Sequence, residues 1–176
     1  MKIVLIPILA LIYSFAFLAN NYVTSMLYLA KAAHLVHIPT GIKLFYVLIF
    51  GWIGVIAIFI SNLYLSLTGF FESQYMLSVW VSVATSVAPM LCVIFTKYFY
   101  DVDDNFFNVS PKILFIIAVL YSILNSISVQ LLIHIFEKSN SLVDGIFVMF
   151  IGDITGITLV ALILIYSPKL INKIKK

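Results

Sequence analysis

The 176-residue chain has no arginine, a single cysteine and few charges of either sign, Asp, Glu, Lys and Arg together making only 10% of it. Each shortage excludes something. One cysteine, Cys92, permits neither an internal disulfide nor a thiolate metal cluster. It lies in an apolar stretch, where a small packing residue is expected. The ten lysines give a formal charge of +3 but are scattered singly until the tail. That is no nucleic-acid footprint, which needs a clustered basic face. No stretch is polar enough for a separate soluble domain, so residues 1–176 are read as one membrane domain. Any catalytic or signalling output domain is expected on another chain.

Apolar sequence is abundant: 64% of residues are hydrophobic, in runs exceeding the ~20 residues that cross a ~30 Å hydrocarbon layer. Irregular backbone in lipid leaves N–H and C=O groups unsatisfied, and a barrel shows short alternating segments, so uninterrupted runs mean helices. The expected fold is an all-α polytopic bundle of about five transmembrane helices, near residues 3–30, 42–67, 75–98, 112–136 and 142–166, with a Lys-rich tail over 167–176. A second crossing in the first segment makes it six. Met1 to Ala19 has the outline of a signal peptide, with Lys2, an apolar core and Ser14-Phe15-Ala16 as a cleavage-like step. It is read instead as the first helix, interrupted by Asn20 and Asn21. Pro39 and Gly41 are assigned to the turn before the second.

Cytoplasmic flanks carry the excess of basic residues. Five crossings put Lys31, Lys43, Lys97, Lys112, Lys169, Lys173, Lys175 and Lys176 on one side and leave Lys2 and Lys138 opposite. This places the C-terminus in the cytoplasm and the N-terminus outside. Two crossings in the first segment would bring the N-terminus in as well.

An ionisable residue at membrane depth is costly and is by default a functional candidate. Asp153, near the middle of the fifth segment, is the clear instance. Its charged form costs at least ~3 kcal/mol at the bilayer centre, so it is expected to be protonated or hydrogen-bonded by neighbouring helices. No lysine is expected at its depth. Asn20 and Asn21, Asn62, Ser82 and Thr85, and Asn125 supply polar groups on the other helices. From these, Asp153, Asn125, Asn62, Thr85 and Asn21 are taken as a ligand-binding set converging on one buried site. The competing reading is interhelical hydrogen bonding, worth roughly 0.6 kcal/mol per residue. Gly152 and Gly156 form a G-x-x-x-G pair suited to close backbone approach, and with Gly54 they are assigned to helix packing.

Weaker signals are set aside. His34 and His37 lack a nearby carboxylate or cysteine and read as interfacial. Asp101, Asp103 and Asp104 lack the glycine and closing glutamate of a calcium loop. Asn108-Val109-Ser110 is a sequon on the expected cytoplasmic side, followed by Pro111. No metal or cofactor is expected. With no Ser/His/Asp set, ligand cluster or phosphate loop, neither is enzymatic activity.

His37-Ile38-Pro39-Thr40-Gly41 before the second helix, Asn62 at its end, and Gly152-Asp153-Ile154-Thr155-Gly156 in the fifth resemble the first type of bacterial membrane-associated sensor domain, the MASE type. In that family a W-P-P-A-G-like motif precedes the second helix and a G-D-x-x-G motif opens a late apolar helix. The second motif matches at Gly152, Asp153 and Gly156. The first matches at Pro39 and Gly41, while His37, Ile38 and Thr40 depart from it. Ala161 agrees with the family's later alanine-proline step, and Leu162 does not. Thr85 and Ala88 stand where the family often has Asn and Glu. The resemblance spans roughly Leu29 to Ala161. It implies a bacterial inner-membrane sensory module, normally fused to a diguanylate cyclase, phosphodiesterase or histidine kinase, none of which this sequence contains. The expected function is a sensor-like module binding a small ligand or proton at the bilayer midplane. Its expected partners are the lipid bilayer and either a membrane or cytoplasmic signalling protein or a second copy. The alternatives are a small-solute transporter, a substrate-binding subunit of one, or an accessory subunit of a membrane complex.

Overall fold

A computed structural model describes residues 2–24, 28–30, 33–100, 110–137 and 142–174. Lys31, Asp101, Asp103, Asp104, Asn108, Lys138, Lys175 and Lys176 lie outside these residues, as does the side chain of His34. Helix α1 runs over Leu5–Val23, followed by a two-stranded ribbon of β1 (Tyr28–Ala30) and β2 (Ala33–His34), antiparallel with Tyr28 opposite His34. The other helices are α2 (Ile38–Phe50), α3 (Trp52–Leu65), α4 (Tyr75–Tyr100), α5 (Pro111–Glu137) and α6 (Leu142–Ile174). A wider π-type turn, Ser66–Phe70, extends α3.

Among the described residues, five helical stretches are long and apolar enough to cross a membrane: Leu5–Val23, Trp52–Gly69, Tyr75–Tyr100, Pro111–Glu137 and Leu142–Tyr166. This is the expected polytopic bundle, with two differences. The first segment holds one such helix, as expected, but a shorter one: α1 stops at Val23, where both the amide and the hydroxyl of Thr24 bond back to the Asn20 carbonyl, at 2.8 and 2.7 Å. The second segment is two helices. Gly51 adopts φ +56° and ψ −130°, a conformation open to glycine and strained for residues with a Cβ. The reversal brings Gly54 so close to the Tyr46 carbonyl that a Cβ would stand 2.5 Å from it. Gly54 is thus a packing glycine, as expected.

Pro39 and Gly41 do not form a turn. They lie in the first turn of α2, where the missing proline N–H costs no helix bond. Gly41 packs on α6, and a Cβ there would sit 2.6 Å from Val160 Cγ2 and 2.7 Å from the Gly156 carbonyl.

Contacts fix the helix directions. Asn20, late in α1, meets the start of α2, while Tyr46, late in α2, donates to the Leu9 carbonyl at 3.2 Å, so α1 and α2 run antiparallel. Gly51 turns α3 back. Asn62 meets Thr85 across the α3–α4 hairpin, and Asn125 meets Asp153 across α5–α6. The helices alternate in direction, so the start of α1 and the end of α6 lie on one side of the bundle. The expected opposite placement of the ends fails because the extra reversal is at Gly51, inside the second apolar run.

The interior is layered. One apolar cluster holds Tyr13, Leu44, Val47, Ile58, Ile117 and Ile157, and a second holds Phe71, Leu77, Val81, Val129, Ile133 and Met149. On α4 the buried Ser82, Thr85 and Ser86 fall between the two sets, on α5 Ser122, Asn125 and Ser126 do so, and on α6 Asp153 does. Large apolar residues such as Phe15, Trp52, Phe115, Ile135 and Phe147 stay exposed on the outside, as a hydrocarbon solvent requires.

Candidate functional site

The site is built where α2 begins. The extended segment Leu35–His37 is held by two helices. The Leu35 carbonyl accepts from the Thr155 hydroxyl at 2.8 Å, and the His37 amide donates to the Gly152 carbonyl at 3.1 Å. From α1, Asn20 Oδ1 accepts the Ile38 amide at 3.1 Å. A helix leaves its first amides unpaired, and here a side chain from another helix caps one of them. Gly156 permits the approach: a Cβ on it would collide with the His37 carbonyl. The G-x-x-x-G pair therefore packs within the chain, Gly152 through its carbonyl and Gly156 through its missing side chain.

This packing sets Asp153, fully buried, at the amino end of α2. The Thr40 hydroxyl donates to Asp153 Oδ1 at 2.5 Å, and Asn125 Nδ2 donates to Oδ2 at 2.6 Å. His37 Nδ1 stands 3.5 Å from Oδ1 and 3.3 Å from the Thr40 hydroxyl. The positive end of the α2 dipole favours negative charge at this spot. Asp153 thus meets a hydroxyl, an amide, an imidazole and a helix terminus, and it is hydrogen-bonded by neighbouring helices as expected.

Asn62 and Thr85 belong to a second network. Tyr13 donates to Asn62 Oδ1 at 2.9 Å, and Asn62 Nδ2 donates to Thr85 Oγ1 at 2.8 Å. Pro89, four residues on in α4, has no N–H for the Thr85 carbonyl. The expected set therefore resolves into two groups: Asn125 with Asp153, and Asn62 with Thr85. Asn21 touches neither group through a hydrogen bond of its Oδ1, which is buried without a partner among the described residues.

A cavity of about 60 Å³ relates the two groups, with Asn21, His37, Lys43, Asn62 and Thr85 at its polar part. Lys43 corrects two expectations. It is not on a cytoplasmic flank, and it is a lysine near the depth of Asp153. At 2% exposure it is buried, one turn along α2 from Thr40 and within electrostatic reach of Asp153. Its ammonium lies 5.9 Å from the centre of the Tyr13 ring. His37 is likewise no interfacial histidine. It is buried, edge-on to Phe17 with ring centres 5.8 Å apart.

The residues missed were thus Tyr13, His37, Thr40 and Lys43. The available signal was their spacing: positions 37, 40 and 43 fall on one helical face, and Thr40 stands inside the motif used for the resemblance. Tyr121, Ser122 and Asn125 add buried oxygens without a hydrogen bond among the described residues, a pattern met by ordered water in interiors. Among the described residues, no three His, Cys, Asp or Glu side chains gather as a metal site requires.

No protein-family model matches the chain, and neither does any curated protein or solved structure.

Proposed function

We propose that the chain is a sensor-like membrane module that binds a small ligand or proton in its central polar layer. The observation that carries this reading is the cavity lined by His37 and Lys43, beside a carboxylate held by Thr40 and Asn125. Buried charge and hydrogen-bonding groups in a membrane interior are expensive, and helix association alone is served by uncharged residues. The motif resemblance to MASE-type sensor domains points the same way. So does the route outward: α6 carries Asp153 and continues to Ile174, about 31 Å further at 1.5 Å per residue. A signalling partner in the membrane or cytoplasm, or a second copy of the chain, would receive the response there.

Lysine placement supports a bacterial inner-membrane orientation with the C-terminus in the cytoplasm. With alternating helices, the lysines of the described backbone outside α2, Lys2, Lys97, Lys112, Lys169 and Lys173, fall on the side where α1 begins and α6 ends. The excess of lysines marks the cytoplasmic side, so the N-terminus joins the C-terminus there.

The test is a thermal-stability screen of the protein in lipid nanodiscs, against small acids, amines, neutral solutes and pH. The expected result is a saturable shift for the wild type that Asp153→Asn alters while remaining folded. Absence of any shift across the set would overturn the proposal.

One observation favours a second reading. Helix α2 starts at the depth of the polar layer with its amino end at Asp153, like the broken helices that form transporter sites. Solute accumulation in proteoliposomes, alone or with energising subunits, would select that reading.

A further inference from the structure

We infer that the cavity beside Lys43 takes a small monocarboxylate, a ligand class that rests on the binding-module reading above. Lys43 is buried on a helix in a membrane interior, yet among the described residues its ammonium makes no hydrogen bond and no ion pair. The Tyr13 ring, at 5.9 Å, is near the limit of a useful cation–π contact, about 6 Å. A buried charge normally has a hydrogen-bonded partner.

Asp153 does not serve as that partner. Its Oδ1 is occupied by Thr40 with His37 alongside, and its Oδ2 by Asn125. The carboxylate is thus satisfied by these side chains, and the cavity's lining includes Lys43 and His37 but not Asp153. The cavity therefore presents a cation whose hydrogen-bonding capacity is open. An anion there completes the pair, with Asn62 beside it: that amide uses one hydrogen on Thr85 and keeps the second, since an amide nitrogen carries two.

The remaining wall selects among anions. Phe17, Leu65, Phe71, Val129 and Met149 face the same space. A hydrated inorganic ion would exchange its water for hydrocarbon on that side, whereas a short alkyl tail gains burial there. The volume of about 60 Å³ exceeds the ~10–15 Å³ that one water needs and accommodates only a few heavy atoms. Carboxylate head and short tail match the cation and the apolar wall.

The experiment measures binding of sodium acetate, propionate and butyrate to the full chain in nanodiscs by calorimetry and thermal shift, with propionamide, sodium chloride and ethylammonium chloride as probes of shape, inorganic anion and opposite charge. Saturable propionate binding is expected, with no response to propionamide or chloride at the same concentration. In Lys43→Met the affinity should fall about thirtyfold or more, the lower range for removing one partner of a buried charge pair, while Lys112→Met behaves as wild type. If Lys43→Met does not fold, the wild-type contrast between propionate and propionamide decides. Equal binding of the two, an equal chloride response, or undiminished binding in a folded Lys43→Met overturns the inference. A response to ethylammonium or neutral solutes without one to carboxylates also overturns it and leaves the binding-module reading standing. Silence from every compound, at every pH, removes both.

Discussion

Adding one methyl group at Gly156 tests the packing that brings α2 to Asp153. The new Cβ would collide with the His37 carbonyl and stand 3.0 Å from the Ile38 nitrogen. Both neighbours are backbone, and that backbone is pinned by bonds to Gly152, Thr155 and Asn20. Relief therefore requires α2 to back away from α6. Overpacking of this kind costs about 1–3 kcal/mol. The retreat also stretches the 2.5 Å bond from Thr40 to Asp153, and a hydrogen bond to a charged group contributes about 1.5–3 kcal/mol. The sum predicts that Gly156→Ala is destabilised by about 2.5–6 kcal/mol. The assay is equilibrium unfolding in mixed micelles, followed by the fluorescence of Trp52 and Trp80. Gly69→Ala is the control, because a Cβ there meets nothing within 4 Å. Should Gly156→Ala unfold within about 0.5 kcal/mol of wild type, the range of an ordinary surface change, the close approach of α2 to α6 is wrong.

Three further predictions concern the same elements. Thr40→Val removes the donor to Asp153 and should lower stability by about 1.5–3 kcal/mol, while Thr40→Ser, which keeps a hydroxyl, should recover most of the loss in the same unfolding assay. Asp153→Asn should stay folded by circular dichroism, since Asn125 can turn its unpartnered Oδ1 toward the new amide; loss of the helical signal would mean that the carboxylate itself organises the bundle. Gly51→Ala must accept a positive φ and should cost about 1–3 kcal/mol, and a neutral result would show that α2 and α3 do not reverse at that residue.

The long apolar runs made the membrane-spanning helices legible, because spanning length and backbone satisfaction leave few alternatives. Depth along those runs also made Asp153 and Asn125 legible as partners. Two things were hidden. The start of α2 at Ile38 depends on a cap from Asn20, eighteen positions earlier in the chain, so Pro39 and Gly41 look local when they are tertiary. An apolar run, moreover, carries no direction: Gly51 reverses the second one, and the composition on either side of it is the same. That reversal moved the N-terminus to the other side and drew Lys43 inward. A lysine counted by its position at the edge of an apolar run belongs to a flank; only the fold shows that it faces the interior. Asn62 and Thr85 are buried and bonded to each other, but Tyr13 engages them instead of Asp153.

The Leu35–His37 segment has a mechanical consequence. Ribbon residues usually derive their hold from a ladder with a neighbouring strand, but this stretch is fastened to α6 by the Thr155 hydroxyl and the Gly152 carbonyl, and the amide just after it to α1 by Asn20. It is a clasp between the first and last helices of the chain. A small slide of α6 along its own axis would load all of these bonds together and pull on the first turn of α2, so that motion at the chain's end and the grip on Asp153 are geared to each other.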